Sequence, residues 1–127
     1  MKPGVKRTEG SEEYFTPEQC YILEVSNSPD DEACSIARAR VAPGVTTRWH
    51  RVKDTAERYV IVQGRGRVEV AGLPPQEVGP GDVVLIPPSA RQRIANPGGE
   101  DLVFLAICTP RFRQEAYEDL DSQTRGK

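Results

Sequence analysis

The sequence predicts an all-β protein, a sandwich or a small barrel, and three observations support this. The chain has 127 residues, which is the length of one domain with one core. Short β-prone runs follow one another between residues 20 and 109, separated by turns rich in Gly, Pro and Asn. No segment in that range has a convincing helical period. Many short strands with regular turns are typical of sandwiches and small barrels.

The strands are predicted from seven runs of β-branched, aromatic and other β-prone residues. In chain order these runs are YILEVS, CSIARARV, ERYVIVQ, RVEV, DVVLIPP, RQRIAN and DLVFLAIC. Turns are predicted around and between these runs at PGV, QGRG, GLPP, GPGD and NPGG, whose residues favour tight turns. We therefore assign residues 20–109 to one β-barrel domain.

The two ends of the chain are predicted to lie outside that domain. Residues 1–19 form a polar arm, in which Thr16-Pro17-Glu18-Gln19 resembles the start of a helix of one turn at most. Residues 110–127 are predicted to form a short C-terminal helix and a tail, because Phe112, Ala116 and Leu120 recur at helical spacing. The last residues, DSQTRGK, are expected to fray.

Composition excludes several classes of function. The net charge of −2 gives no general attraction to nucleic acid. No apolar run approaches the roughly 18 residues of a membrane span, and the polar N-terminus lacks the apolar core of a secretory signal. Cys20, Cys34 and Cys108 are odd in number and widely spaced, so we interpret them as reduced thiols in a cytoplasmic protein.

The strongest signal is the spacing around the one histidine of the chain. Gly44, His50, Glu57 and Gly64 follow the pattern G(X)5HXH(X)3–4E(X)6G, except that Val52 stands at the second histidine. Gly81, Pro87 and Asn96 follow a second pattern, G(X)5PXG(X)2H(X)3N, in which Ser89 and Gln92 stand at a glycine and a histidine. The two patterns are the motifs of the cupin superfamily, which the chain resembles over residues 20–109. The resemblance implies a double-stranded β-helix, a small jelly-roll barrel.

The resemblance also implies a metal site, and the sequence departs from it at two of the four ligands. The ligand positions of the family correspond to His50, Val52, Glu57 and Gln92. Three donors remain, so the predicted metal set is His50, Glu57 and Gln92. It would suit Mn, Fe(II), Ni or Zn at modest affinity, and it differs from the two-histidine, one-carboxylate triad of non-haem iron oxygenases.

The period of a β-strand predicts which side chains face the interior. Side chains at i and i+2 share a face, so His50 and Val52 point the same way, as do Glu57 and Tyr59. Cys108 is assigned to the same cavity. Arg48 shares the period of His50 and is a candidate for binding a substrate carboxylate or phosphate, or for pairing with Glu57. The candidate ligand-binding residues are therefore Arg48, Tyr59 and Cys108.

Two interpretations of the site stay open. In the first, a divalent metal at His50, Glu57 and Gln92 polarises a small polar or anionic metabolite, and Tyr59 or Glu57 acts catalytically on a proton. Isomerase or lyase chemistry would suit this arrangement. In the second, the cavity is metal-free and non-catalytic, His50 and Glu57 hydrogen-bond each other, and the protein binds a small molecule. An epimerase-like enzyme that uses His50 as base ranks below both.

The resemblance further implies a homodimer, since small cupins commonly pair. Trp49 alternates with His50 and is expected to point outward, where it could serve that contact. Arg91 and Arg93 flank Gln92 and are expected to face outward as well. The expected partners are thus a small-molecule ligand and a second copy of the chain, without nucleic acid or membrane.

Overall fold

The computed structural model describes residues 1–121 and is built almost entirely of β-strands. The strands are β1 Tyr14–Phe15, β2 Tyr21–Ser26, β3 Ser35–Val41, β4 His50–Val52, β5 Ala56–Gln63, β6 Gly66–Val70, β7 Gln76–Val78, β8 Val83–Ile86, β9 Gln92–Ala95, β10 Leu102–Thr109 and β11 Tyr117–Asp119. Two short 3-10 turns, Pro29–Asp31 and Gln114–Ala116, connect strands. The all-β prediction is therefore confirmed.

The strands divide into two antiparallel sheets. One has six strands in the order β1-β2-β3-β10-β5-β8, and the other has five in the order β11-β4-β9-β6-β7. Strands far apart in sequence are neighbours, since β10 pairs with both β3 and β5. This is the connectivity expected of a jelly roll. Within the described residues the ladders form two separate sheets, so the predicted closed barrel is better described as a sandwich.

The core lies between the inner faces of the two sheets. Along β5, the buried residues Glu57, Tyr59 and Ile61 alternate with less buried neighbours, as the period of a strand requires. The apolar part of the core is a cluster supplied by both sheets, with Ala39 and Leu102 from the six-stranded sheet and Val68 and Ile94 from the five-stranded sheet. The polar part is concentrated near one end of β4, β5 and β9, and it forms the wall of a cavity.

One motif glycine is explained by backbone geometry. Gly64 has φ of +81°, and a Cβ at this position would lie 2.5 Å from the carbonyl oxygen of Asp101. No other residue type fits such a turn without moving the chain. Ser89, which stands where the family motif has glycine, also adopts a left-handed φ of +65°. Its Oγ accepts a hydrogen bond from the backbone N–H of Asp54 at 3.1 Å, which favours serine there.

The predicted C-terminal helix is wrong for the described residues. The segment from 111 to 119 contains only the 3-10 turn and then β11, which pairs with β4 through Tyr117↔Val52 and Asp119↔His50. Because β4 would otherwise be an open edge, pairing satisfies its backbone groups, and this outweighs the weak helical period of three apolar residues. The predicted fraying concerns residues 121–127, of which 122–127 lie outside the described part.

The N-terminal arm is partly built into the domain. β1 pairs with β2 through Tyr14↔Ile22 and Phe15↔Tyr21. The chain makes a hydrogen-bonded turn near Thr16, in which Gln19 N–H donates to the carbonyl of Thr16 at 3.0 Å, but the turn is not helical, since Gln19 has a left-handed φ of 77°. This turn brings Glu18 to the cavity. Residues 14–18 thus form one wall of the cavity, although the sequence had assigned them to a separate arm.

All three cysteines are free thiols, as predicted, with Cys20 and Cys108 buried and Cys34 half-buried. A search of residues 1–121 finds no helix with the length and apolar character needed to span a membrane.

Candidate functional site

The candidate site is a cavity of about 240 Å³ between the two sheets. His50 on β4, Glu57 and Tyr59 on β5 and Cys108 on β10 line it from the strands. Glu18, from the turn after β1, and Tyr117, from β11, line it from the two ends of the chain. A small metabolite would fill it.

A buried chain of hydrogen bonds holds the carboxyl of Glu57 at the cavity wall. The hydroxyl of Tyr59 donates to Oε1 of Gln92, and Nε2 of Gln92 donates to Oε1 of Glu57. The thiol of Cys108 lies 3.6 Å from the other carboxyl oxygen, to which it donates. Gln92 is fully buried and stands directly opposite His50 in the β4–β9 ladder. The amide therefore holds Glu57 from behind and does not itself line the cavity.

This environment disfavours the charged form of Glu57. Burial raises the pKa of the carboxyl above its ordinary value of 4.5, and the nearby carboxylate of Glu18 adds to the rise. His50 and the hydrogen bonds from Gln92 and Cys108 act in the opposite direction without cancelling it. Burial and the adjacent carboxyl likewise raise the pKa of Tyr59 and of Cys108, so both keep their protons. The result is a group of proton-bearing side chains against one cavity.

His50 is fixed by contacts on three sides. Its Nδ1 lies 2.8 Å from the carbonyl oxygen of Arg48 and donates to it, since a carbonyl can only accept. Its Nε2 lies 3.3 Å from a carboxyl oxygen of Glu18. Its ring stacks on Tyr117 with centroids 5.4 Å apart. The expected hydrogen bond between His50 and Glu57 is not formed, because each of the two has a different partner.

The donor set does not fit the metal that the family motif implies. The only ligating atom of Gln92, its amide oxygen, accepts the Tyr59 hydroxyl proton, and its nitrogen faces Glu57. Val52 is buried and apolar at the second histidine position. Over residues 1–121, no three His, Cys, Asp or Glu side chains are placed to hold an ion. His50, Glu57 and Gln92 are thus neighbours in a hydrogen-bonded wall and do not converge on one point.

The structure does not place Arg48 on the cavity wall. Its Nε donates to the carboxylate of Asp119 at 2.9 Å, and both side chains are only partly exposed. Trp49 faces the opposite side of the sheet, as expected, and lies between the guanidinium groups of Arg91 and Arg93, 4.7 and 4.4 Å from its ring centroid. Arg93 also donates to Glu69 at 2.9 Å. The outward arginines therefore belong to a surface network.

Sequence reasoning missed two residues of the site, Glu18 and Tyr117. Glu18 belonged to a segment predicted as a polar arm, and Tyr117 to a predicted helix. No local pattern marks either one: Glu18 lies in the turn between the paired strands β1 and β2, and Tyr117 reaches the cavity through pairing with β4, which is distant in sequence. The one available signal was the aromatic residue in an otherwise polar stretch at Tyr117.

Comparison with known proteins places this architecture in a family. A family model described as the cupin domain matches residues 37–108. An uncharacterized protein of Methanocaldococcus jannaschii is 33% identical over 87 residues, which cover 68% of this chain and 69% of that protein. A glucose-6-phosphate isomerase of Pyrococcus abyssi is 38% identical over 66 residues, but the match covers 46% of this chain and only 33% of the isomerase.

A solved structure has the same fold over most of the chain. It is Pac13, a nucleoside dehydratase from Streptomyces that has also been solved with uridine as a variant. The TM-score is 0.75 at 15% identity, and the match covers 93% of this chain and 91% of Pac13. At this identity the likeness concerns the fold alone.

Proposed function

Because this chain belongs to the cupin family, we propose that its cavity binds a small polar molecule and that Glu57 and His50 transfer protons to and from it. The observation that carries the proposal is the position of these two groups. Both line one cavity, and each is held by its own partners, Gln92 for Glu57 and Glu18 for His50. Two fixed proton-transfer groups against one ligand are what general acid–base catalysis requires.

The reaction classes that suit the pair are isomerisation and elimination. Both need one group to remove a proton from carbon and another to supply one, and burial shifts the pKa of Glu57 in the direction that lets a carboxyl serve either purpose. The names of two similar proteins, an isomerase and a dehydratase, agree with these classes. In the proposal Tyr59 helps to position Glu57 through Gln92, because its hydroxyl donates a hydrogen bond to the amide oxygen of Gln92.

The metal-dependent form of this function is not part of the proposal, since the donors of His50, Glu57 and Gln92 do not converge. The anionic substrate expected from Arg48 is also left out, because that side chain pairs with Asp119 and does not reach the cavity. A metal-free cavity that only binds its ligand remains the alternative, and it predicts the same binding without turnover.

Hydrogen exchange at carbon tests the proposal. The protein is incubated in heavy water with a panel of small polar metabolites, and deuterium entering their C–H positions is followed by NMR. We expect exchange with at least one compound, reduced about 100-fold or more in Glu57→Gln, which keeps the shape and a hydrogen bond to Gln92 but cannot transfer a proton. Glu77→Gln is the matched control, since Glu77 is exposed on β7 away from the cavity.

Binding without exchange would support the alternative. His50 is the one histidine of the chain, so its ring protons give an unambiguous NMR signal at the cavity. A compound that shifts this signal, with no exchange in any compound tested, would make the protein a binding module. Full exchange activity in Glu57→Gln would contradict the proposed role of Glu57.

The homodimer expected from the sequence also stays a proposal, with a different surface. Trp49 is covered by two arginines, whereas the outer face at the β5–β8 edge exposes Val62, Val83 and Leu85 by 53, 54 and 68%. β8 is the last strand of its sheet within residues 1–121, so its outer backbone groups lack a strand partner in that part of the chain. A second copy seated there would cover both features.

The three free thiols support the expected cytoplasmic location.

A further inference from the structure

The six-stranded sheet presents its inner side chains to the cavity in three rows that cross the strands. The ladder registers define the rows, because residues directly opposite one another on neighbouring strands point to the same face. Successive rows are two residues apart along each strand, which is about 7 Å. In order, the rows that line the cavity are Ser35, Cys108 and Glu57, then Ala37, Ala106 and Tyr59, then Ile22, Ala39 and Phe104.

Polar groups are concentrated in the first of these rows. It carries a hydroxyl, a thiol and the carboxyl of Glu57, and His50 lines the cavity from the other sheet, across the β4–β9 ladder from Gln92. In the second row the one polar atom is the hydroxyl of Tyr59, which donates to Gln92. The third row has none. A ligand hydroxyl over the second or third row would therefore lose water without gaining a partner from these side chains.

The middle of this face is hollow because two central strands carry alanine there. Ala37 on β3 and Ala106 on β10 point inward, yet both keep accessible surface, and both line the cavity. The inward side chains before and after them are at most 4% exposed, namely Ser35, Ala39, Phe104 and Cys108. Protein interiors are close-packed and an apolar void costs stability, so open space at the centre of a sheet calls for an occupant.

The hollow over Ala37 and Ala106 has a defined width. Neighbouring strands lie about 5 Å apart, and the larger side chain of Tyr59 bounds the hollow on the β5 side, in register with Ala106. Val52 and Ile94 line the cavity from the opposite sheet and are buried and apolar. The space is therefore suited to a six-membered ring between apolar side chains of the two sheets.

The lining offers no strong attraction to an ion. Glu18 already faces His50 at 3.3 Å, and the buried carboxyl of Glu57 is disfavoured in its charged form. Glu24 is exposed to water and accepts a hydrogen bond from Tyr14 at 3.3 Å. Among the described residues, no lysine and no arginine contributes to the lining. These surroundings favour an uncharged ligand.

Taking the cavity as the binding site proposed above, we infer that its ligand is an uncharged ring compound whose polar group is confined to one end. That group, a hydroxyl or a carbonyl, lies against Glu57 and His50, and the apolar part of the ring lies over Ala37 and Ala106. The two alanines then determine specificity, because a larger side chain at either position would take the place of the ring. The inference rests on the proposed function and adds the class of molecule that the site accepts.

Three uncharged alcohols test this inference. Cyclohexanol has one hydroxyl on a six-membered ring, myo-inositol has a hydroxyl on every carbon of the same ring, and 2-propanol has the hydroxyl without the ring. Each is titrated while the ring protons of His50 are followed by NMR. We expect cyclohexanol to bind at least about tenfold more tightly than either, because myo-inositol buries hydroxyls without partners and 2-propanol leaves the hollow empty.

Two variants that fill the hollow test the role of the alanines. Ala106→Val and Ala37→Val each add two methyl groups, and valine is favoured in strands. We expect each to weaken cyclohexanol binding at least about tenfold and to leave 2-propanol binding unchanged, while the stability measured by urea unfolding does not fall. Ala95→Val is the matched control, since Ala95 lies on the outer face of β9, outside the cavity, and should leave all affinities unchanged.

The outcomes separate this inference from the function on which it rests. Binding of myo-inositol as tight as that of cyclohexanol would overturn the inference and leave the cavity as a binding site. Unchanged cyclohexanol binding in both alanine variants would overturn the place assigned to the ring. If cyclohexanol leaves the His50 signals unmoved while a compound of the metabolite panel shifts them, the inference is overturned and the site stands. If neither shifts them, both are overturned.

Discussion

At the level of single residues, the buried carboxyl of Glu57 links stability to pH. Its pKa is raised in the folded state, chiefly by burial, while in the unfolded chain it has its ordinary value near 4.5. At pH values between the ordinary and the raised pKa, Glu57 carries a proton in the folded protein but has lost it in the unfolded chain. Stability therefore falls as pH rises through this window, and the contribution is constant above the raised pKa. His50, Glu18, Gln92 and Cys108 are the groups that face this carboxyl.

We expect Glu57→Gln to be more stable than the unchanged protein, with a difference that grows as pH rises from about 4.5 and then levels off. The measurement is the free energy of unfolding in urea at a series of pH values, followed by the fluorescence of Trp49, the one tryptophan. Glu77→Gln provides the control for a surface carboxyl. A constant difference across the pH series would contradict a raised pKa at Glu57.

Two tyrosines of the cavity should respond differently to the loss of a hydroxyl. Tyr59→Phe leaves the amide oxygen of Gln92 buried and unpaired, so we expect a cost of about 1–3 kcal/mol. Tyr117→Phe removes a hydroxyl that has no partner, so we expect no cost or a small gain. Urea unfolding of the pair at one pH checks this. A loss of equal size in both variants would mean that the Tyr117 hydroxyl is bonded after all.

At the level of elements, β4 and β9 provide a backbone that lacks only two ligands of the family's metal site. Val52→His together with Gln92→His restores the motif on these strands, and both positions face inward beside His50 and Glu57. We expect this double variant to bind Ni or Zn at one equivalent, while the unchanged protein binds neither under the same loading.

Metal analysis after gel filtration gives the answer, and the ring signals of His50 report ligation independently. The double variant also carries two buried substitutions, so Val52→Ala with Gln92→Ala serves as the control for the loss of the native side chains. Stoichiometric metal in the unchanged protein, lost in His50→Ala, would contradict the view that its donors do not converge.

The inner faces of the central strands could be predicted from sequence, whereas the ends of the site could not. His50, Glu57 and Gln92 sit at fixed motif spacings, and the two-residue period of a strand gave their orientation correctly. Glu18 and Tyr117 arrive through β1 and β11, strands of two and three residues. Such short strands carry too few residues for a period, and their pairing depends on edges that only the folded sheets provide.

The hydrogen-bond partners were also beyond a sequence argument. The His50–Glu57 bond was expected because both side chains were predicted to face the same cavity. The structure offers each a separate partner, because Glu18 reaches His50 and Gln92 lies between Tyr59 and Glu57. A choice between the carboxyl groups of Glu18 and Glu57 depends on distances that spacing along the chain does not determine.

At the level of the whole molecule, the exposed apolar edge of β8 predicts self-association. We expect the protein to be a dimer in solution and Leu85→Arg to raise the dissociation constant at least about tenfold, because a charge would be placed in an apolar contact. Light scattering over a dilution series measures this.

Val5→Arg is the control for the dimer, because Val5 is 73% exposed and lies in the segment before β1, at the end of the six-stranded sheet opposite to β8 in strand order. The mass should be that of a dimer in this variant. A monomer at every concentration of the unchanged protein would remove the dimer proposal, and a dimer that Leu85→Arg leaves intact would move the contact elsewhere.

The pairing of β11 with β4 has a consequence for biosynthesis. Tyr117 completes the cavity and shields one side of His50, yet it is made some sixty-seven residues after that histidine, as the numbering shows. A nascent chain emerges from the ribosome N-terminus first, so the strands that carry His50 and Glu57 are exposed before their last neighbour exists. Ligand recognition is therefore acquired late in translation, when residues 117–119 leave the exit tunnel.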